Sequence, residues 1–337
     1  MSKPASRIHS EIDFEREGRQ TGFLRLPHSV HRSAYGWIPI PAGCIRNGEG
    51  PRVLLMAGNH GDEYEGQVAF ATLLRELDVA AVRGRLIFLT SANFPAAAAG
   101  LRTSPIDEGN LNRSFPGDPD GGVTAQIACY IEQVLLPQCD YVFDFHSGGS
   151  SLMYAPSGLC RRSADPRRMA KSIELLEAFG APFSYVTDTP QGGDHTLSAA
   201  ATRQNVIHLG TEMCGGGTLT ATALRIAREG AIRALKRIGA LDESVPAPSA
   251  PATRLLQVRG ADFYVYAPQA GLFEPLVEPG EEVAAGQPAG RIHFHDTPWR
   301  EPVLARFERA GTVLCKRVPC RTERGDCLYH LGTPFEA

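Results

Sequence analysis

The 337-residue chain carries 34 Lys and Arg against 37 Asp and Glu, a formal charge of −3, with 43% hydrophobic and 21% charged residues. This is globular composition, which excludes disordered and collagen-like chains, and its balanced charge leaves no footprint for nucleic acid or an acidic membrane surface. No apolar run approaches the ~18–20 residues that span a bilayer, and the start, M-S-K-P-A-S-R-I-H-S, has no apolar signal segment, so the expectation is a cytoplasmic protein of roughly two domains.

The first fifty residues alternate short apolar runs with turn residues, as edge strands and hairpins do. Residues 52–57 (R-V-L-L-M-A) predict a buried strand that ends at Gly58. Residues 65–77 have helical periodicity, with Val68, Leu73, Leu74 and Leu77 on successive turns. A second buried strand follows at 85–90 (R-L-I-F-L-T), an amphipathic helix at 125–136 stopped by Pro137, and a third strand at 141–145. Helices at 169–179 and 221–239 flank a strand at 206–209. Strands alternating with helices imply an α/β fold, with a mixed, mostly parallel sheet covered on both faces. The rhythm changes at 242–253 (D-E-S-V-P-A-P-S-A-P-A-T), which has the composition of a linker. Beyond it, short β-type runs alternate with Gly and Pro turns. The expected organisation is a catalytic α/β domain at 1–245, then the linker and a small all-β domain at 246–337.

The eight cysteines contain no C-x-x-C pair. They read as reduced, mostly buried thiols. The grouping of Cys315, Cys320, Cys327 and His330 is a second metal candidate, but its spacing matches no common zinc pattern.

The strongest chemical signal is A57-G-N-H-G-D-E-Y-E-G66, where a buried strand gives way to a helix. Ligands of open α/β sheets bind beyond the carboxyl ends of such strands. His60 and Glu63 are close enough to converge on one ion, and D144-F-H-S-G-G149 brings His146 to another strand end. Either histidine alone would be an unremarkable polar residue. Together, two imidazoles and a carboxylate form a common catalytic zinc shell with one position left for water. Asp62 and Glu65 compete with Glu63 as the carboxylate. Asp144 shares a strand face with His146. It is either an acceptor for that imidazole's other N–H or a buried carboxylate satisfied by backbone.

The loop L101-R-T-S-P-I-D-E-G-N-L-N-R-S-F-P-G117 gathers Arg102, Asn110, Asn112 and Arg113. That density suits bidentate recognition of a carboxylate, the alternative being a solvated loop with a surface ion pair. Glu212, in N205-V-I-H-L-G-T-E-M-C-G-G-G217, sits past a short strand, where a carboxylate could act as general base on water. His208 reads as a core histidine. Asp194 and His195 are loop residues that could line a pocket.

The motifs G-N-H-G-D-E, N-L-N-R-S-F, D-F-H-S-G-G and the T-E strand end resemble the aspartoacylase and succinylglutamate desuccinylase family, and the resemblance runs from about His60 through the β-rich tail. It implies a zinc-carboxypeptidase-like fold that hydrolyses N-acyl amino acids. Within it, F-L-R-L-P-H-S, G-N-H-G-D-E-Y-E-G and R-T-S-P-I-D look like the branch acting on N-acetyl-2,4-diaminobutyrate in ectoine breakdown. Cys214 stands where that branch has glycine, at the expected pocket edge.

By motif, the resemblance implies one zinc ion held by His60, Glu63 and His146. It makes Glu212 the residue that activates water and protonates the leaving amine, Arg102 the group that polarises the scissile carbonyl, and Asn112 with Arg113 the grip on the α-carboxylate. The tail segment E274-P-L-V-E-P-G-E-E-V-A-A-G-Q-P-A-G-R-I292 resembles a lipoyl/biotinyl hairpin. With no lysine between Lys236 and Lys316 it carries no cofactor, and a cover over the active-site mouth is the expected role. The expected partner is a small N-acyl amino acid, with no nucleic acid or membrane, and a homo-oligomer is left open. The alternatives are a deacylase for N-succinylglutamate or N-acetylaspartate, and a zinc-dependent binding protein without catalysis.

Overall fold

The computed structural model describes residues 6–188 and 193–336. Its centre is set by the strand Arg52–Ala57, which pairs in parallel with Gly84–Leu89 on one side and Tyr141–His146 on the other. Tyr141–His146 pairs in turn with Ile207–Glu212, again in parallel. The continuous apolar run at 53–57 follows from this position. Val53, Leu55 and Ala57 pack on one face, with the helices Glu65–Glu76, Pro166–Phe179 and Ala221–Arg237. Leu54 and Met56 pack on the other, with Val123–Tyr130 and Leu197–Arg203. A strand covered on both faces has no polar side to show.

The sheet is larger and more mixed than the alternation predicts. Among the described residues it contains fifteen strands, and the expectation of a mostly parallel sheet holds only for its middle. On one flank Gly18–Pro27 and Trp37–Asn47 form a long antiparallel hairpin that joins Gly84–Leu89 antiparallel. On the other, Ser157–Arg161 runs antiparallel to Ile207–Glu212. Phe183–Thr187 and Arg254–Val258 then continue in parallel. Past residue 253 the chain therefore extends the same sheet, through Cys327–Pro334 and Gly311–Arg317. It also forms a four-stranded antiparallel sheet from Val303–Arg306, Pro288–His293, Gly271–Pro275 and Arg321–Thr322. A third buried cluster, around Phe263, Phe307, Tyr329 and Leu331, fills this part and also takes in Tyr185.

Local chemistry accounts for the helix ends. Asp165 caps Pro166–Phe179 by accepting from the Arg167 N–H, and Gly180 closes it in the left-handed region. Thr196 and Thr220 cap Leu197–Arg203 and Ala221–Arg237 in the same way. The helix expected to run to Leu136 ends at Tyr130 and continues as a wider π-type turn, Ile131–Leu135, before Pro137. No helix among the described residues is long and apolar enough to cross a membrane.

Candidate metal centre and active-site cavity

The parallel register brings the two histidine motifs together. Ala57 lies opposite Phe145, so the segment leaving the first strand and the end of the second emerge side by side. Two glycines make the first turn feasible. Gly58 has φ +67, and a Cβ on Gly61 would lie 2.1 Å from the Ala96 backbone, so only glycine fits beside His60.

His60, Glu63 and His146 are all buried, and one ligand atom from each lies within 4.8 Å of the others. Glu63 stands between the imidazoles, with Oε1 2.7 Å from His60 Nδ1 and Oε2 2.7 Å from His146 Nδ1. The far nitrogens are occupied as well. His60 Nε2 is 3.2 Å from Asn110 Oδ1, and His146 Nε2 is 3.0 Å from Asp144 Oδ2. Acceptors on both Nε2 atoms fix the tautomer that presents Nδ1, the arrangement a metal-ligating histidine needs. Two imidazoles and a carboxylate, buried and converging, fit a divalent cation with nitrogen and oxygen preference.

Electrostatics follow from this packing. Burial works against the Glu63 carboxylate, but His60 and His146 overcome it and hold its pKa well below the ordinary range. At His146 burial favours the neutral ring, yet Asp144 and Glu63 prevail and raise its pKa. At His60 burial wins and the pKa falls.

The competing carboxylates are turned elsewhere. Asp62 Oδ2 accepts from the Ser150 N–H at 2.7 Å, and Glu65 opens the helix Glu65–Glu76, where burial pushes its pKa up to about 7. Among the described residues His60, Glu63 and His146 are the one such cluster. The grouping of Cys315, Cys320, Cys327 and His330 is therefore no second centre. The three cysteines of this group form no disulfide, and Cys320 is exposed while Cys315 is buried.

The cluster opens into a cavity of about 340 Å³. Glu212 ends the strand Ile207–Glu212 directly opposite His146 and lines this cavity. Its buried Oε2 has no hydrogen-bond partner, and burial, reinforced by the Glu63 carboxylate, raises its pKa well above the usual value. Arg102, Asn112 and Arg113 line the cavity as well. Arg102 Nη1 is 3.6 Å from Glu63 Oε1. Asn112 is fixed by accepting from the Leu197 N–H at 2.9 Å, and Arg113 donates to the Asn112 carbonyl.

Other sequence-predicted residues lie differently. Asn110, grouped at first with the substrate-binding residues, is not among the lining residues and has its amide on His60. His208 is buried but faces the cavity, 3.7 Å from Asp144. Asp194 and His195 stay outside the lining, which includes Thr196 and Ser198 instead. Cys214 is also outside it, half-buried, with φ +55, a left-handed position that glycine would take more easily. Tyr154, Tyr185 and Tyr264 form a wall that sequence reasoning missed, together with Cys315, Cys327 and His330, which it had grouped as a metal candidate and which instead line the cavity. No motif marks them, because sheet pairing alone collects them.

The fold and site thus define a hydrolase of the amide-cleaving deacylase class, and the chain belongs to the succinylglutamate desuccinylase/aspartoacylase family, whose catalytic-domain model matches residues 49–238. It is 40% identical to the N-alpha-acetyl-L-2,4-diaminobutyric acid deacetylase of Halomonas elongata over 98% of this chain and 96% of that protein. Among solved structures, the succinylglutamate desuccinylase/aspartoacylase from Rhodobacter sphaeroides matches with a TM-score of 0.93 and 38% identity, covering 98% of this chain and all of that one. The product-bound ectoine utilization protein EutE (DoeB) from Ruegeria pomeroyi matches with a TM-score of 0.92 and 38% identity over the same shares.

Proposed function

We propose that this protein is a zinc-dependent deacylase that cleaves the amide bond of a small N-acyl amino acid, with an N-acetyl-2,4-diaminobutyrate as substrate. The observation that carries the reading is the convergence of His60, Glu63 and His146 on one cavity that also holds Glu212. The similarity to the Halomonas elongata deacetylase supports the choice of substrate. Zinc, held by His60, Glu63 and His146, would supply Lewis acidity that makes water more acidic and the carbonyl more electrophilic.

The chain's own residues do the rest. Glu212 accepts a proton from the attacking water and returns it to the departing amine. Its Oε2, buried and without a hydrogen-bond partner, is open to take that proton. Arg102 directs its guanidinium at the carbonyl oxygen as negative charge develops there. Asn112 and Arg113 hold the α-carboxylate, so that the amide is presented to Glu212 in one orientation. Asp144 keeps His146 in its ligating tautomer.

Residues 246–337 act in this reading as a cover that shapes the entrance, supported by the cavity contacts of Tyr264, Cys315, Cys327 and His330. The buried thiols of Cys44, Cys139, Cys160 and Cys315, none in a disulfide, fit a reducing, cytoplasmic setting.

The test is amine release from a panel of N-acetyl, N-succinyl and N-aroyl amino acids, including Nα- and Nγ-acetyl-2,4-diaminobutyrate, before and after chelation. The expected result is chelator-sensitive turnover, fastest on an acetylated diaminobutyrate. A metal-loaded protein that turns over no member of the panel overturns the reading in favour of a binding protein.

A further inference from the structure

Side chains of the strand Ile207–Glu212 alternate between its two faces. Leu209 packs among the helices on one face, while His208, Gly210 and Glu212 line the cavity on the other. The parallel register sets His208 opposite Val142, Gly210 opposite Asp144 and Glu212 opposite His146. His208 is therefore not directly beside Asp144, and to approach it the ring must lean across Gly210. The absent side chain leaves room for this. A Cβ on Gly210 would lie 2.9 Å from His208 Cε1 and 3.0 Å from Leu159 Cδ1, so a larger residue there would push the imidazole aside.

The lean brings His208 Nε2 to 3.7 Å from Asp144 Oδ2, the same oxygen that lies 3.0 Å from His146 Nε2. At that distance the contact is longer than a hydrogen bond, yet both residues have unmet capacity for one. His208 is 7% exposed and neither ring nitrogen has a partner; Asp144 is 2% exposed and its Oδ1 has none. The hydroxyls of Thr196 and Ser198, which also line the cavity, are 3.0 Å apart and bond to each other. A buried N–H and a buried carboxylate oxygen normally find partners, and leaving either unpaired is costly. A small turn of either side chain pairs these two.

We propose that His208 is a positioning residue for the metal centre, donating its Nε2–H to the Asp144 carboxylate. The inference rests on the reading of His60, Glu63 and His146 as metal ligands and adds one residue to their support. A carboxylate held by a single hydrogen bond turns readily about its last side-chain bond, where the torsional preference is broad. A second donor from another strand fixes its plane. One oxygen then stays on His146 Nε2, and His146 Nδ1 stays turned toward the ion, since the partner of the outer nitrogen sets the orientation of a ligating ring. His208 does this only through Asp144. The sequence marks it as no more than a core histidine, because its role depends on a neighbouring strand and on the gap at Gly210.

The experiment measures zinc affinity of the full chain by competition with a chromophoric chelator, together with nitrogen NMR of histidine-labelled, metal-free protein. His208→Leu should bind zinc about tenfold more weakly, the low end of what an outer hydrogen bond to a ligand contributes. His208→Gln, whose amide N–H falls near the place of Nε2, should stay close to native. In an Asp144→Asn background, His208→Leu should cost less than about twofold, because the two residues act as one unit. In the NMR spectrum His208 should carry its proton on Nε2, and that resonance should move on Asp144→Asn. Losses that add in the double variant, or a His208→Gln variant as weak as His208→Leu, show that the ring merely fills space and overturn the proposal. So does a His208 ring protonated only on Nδ1, or one that does not respond to Asp144→Asn, and these readings decide the matter even if His208→Leu does not fold. The metal reading fails separately, if the native protein itself binds no zinc.

Discussion

The two ends of the cavity are built on opposite principles. In the His60–Glu63–His146 cluster the ligand groups hold one another: Glu63 bridges two imidazoles, and Asn110 and Asp144 take their outer nitrogens, while beside it Asp144 Oδ1 and Glu212 Oε2 have no partner. At the aromatic wall the polar atoms of His330 are left open. The first end comes from the carboxyl ends of neighbouring parallel strands, where consecutive turns must fan out in the same direction. The second comes largely from strands far apart in the chain, such as Leu152–Tyr154 paired antiparallel with Gly311–Arg317, about 160 residues on. A cluster whose side chains bond one another is placed by its own short motifs, whereas the wall takes its shape from long-range pairing.

That contrast orders the expected effects of change. The largest falls on Glu212. Glu212→Gln should retain its metal and lose about 10³-fold in kcat, the scale of a general acid–base contribution. Metal analysis beside steady-state rates checks it, and near-native turnover in a metal-loaded variant removes the proton-transfer role. Asp144→Asn comes next. It keeps the shape but loses the charged acceptor on His146 Nε2, and metal affinity should fall about 10–100-fold, as read by competition with a chromophoric chelator. Arg113→Ala should act on binding more than on chemistry. Its KM should rise by about tenfold, the worth of one charged contact to a carboxylate, with kcat little changed, and an unaltered KM would remove Arg113 from carboxylate recognition.

The smallest effect belongs to the aromatic wall and is one of stability. His330 has a pKa of about 3 in the folded chain against 6.5 for a free imidazole, so the unfolded chain binds the extra proton between those values. Its contribution to stability is present above pH 6.5 and is lost as pH falls toward 3. In metal-free protein, Tm should therefore drop less steeply between pH 6.5 and 4.5 in His330→Phe than in the native chain. Equal slopes in thermal melts would show that His330 is not held neutral by burial.

Much of the first end was legible in the sequence. The strand at 52–57 and the helix at 65–77 match Arg52–Ala57 and Glu65–Glu76 almost to the residue, since an unbroken apolar run and a helical stripe are strong local signals. The weaker elements were not. Ser157–Arg161 (S-G-L-C-R) has little strand character of its own and is a strand because its neighbours complete its hydrogen bonds, whereas Phe183–Thr187 (F-S-Y-V-T) has strand-favouring residues in a run too short to stand out. The choice of Glu63 over Asp62 and Glu65 was equally beyond spacing, for it depends on which way each carboxylate turns. Asp62 is drawn to the Ser150 N–H and Glu65 into the first turn of a helix.

The amino-acid sequence by itself determined where the two histidine motifs fall, because His60 and His146 lie within short motifs at strand ends, where local pattern and position coincide. It also determined the globular, charge-balanced character of the chain. Only the tertiary structure decided the far wall of the cavity. Tyr154, Tyr185, Tyr264 and His330 are scattered over 177 positions, and long-range sheet pairing, which no local periodicity encodes, gathers them around one imidazole.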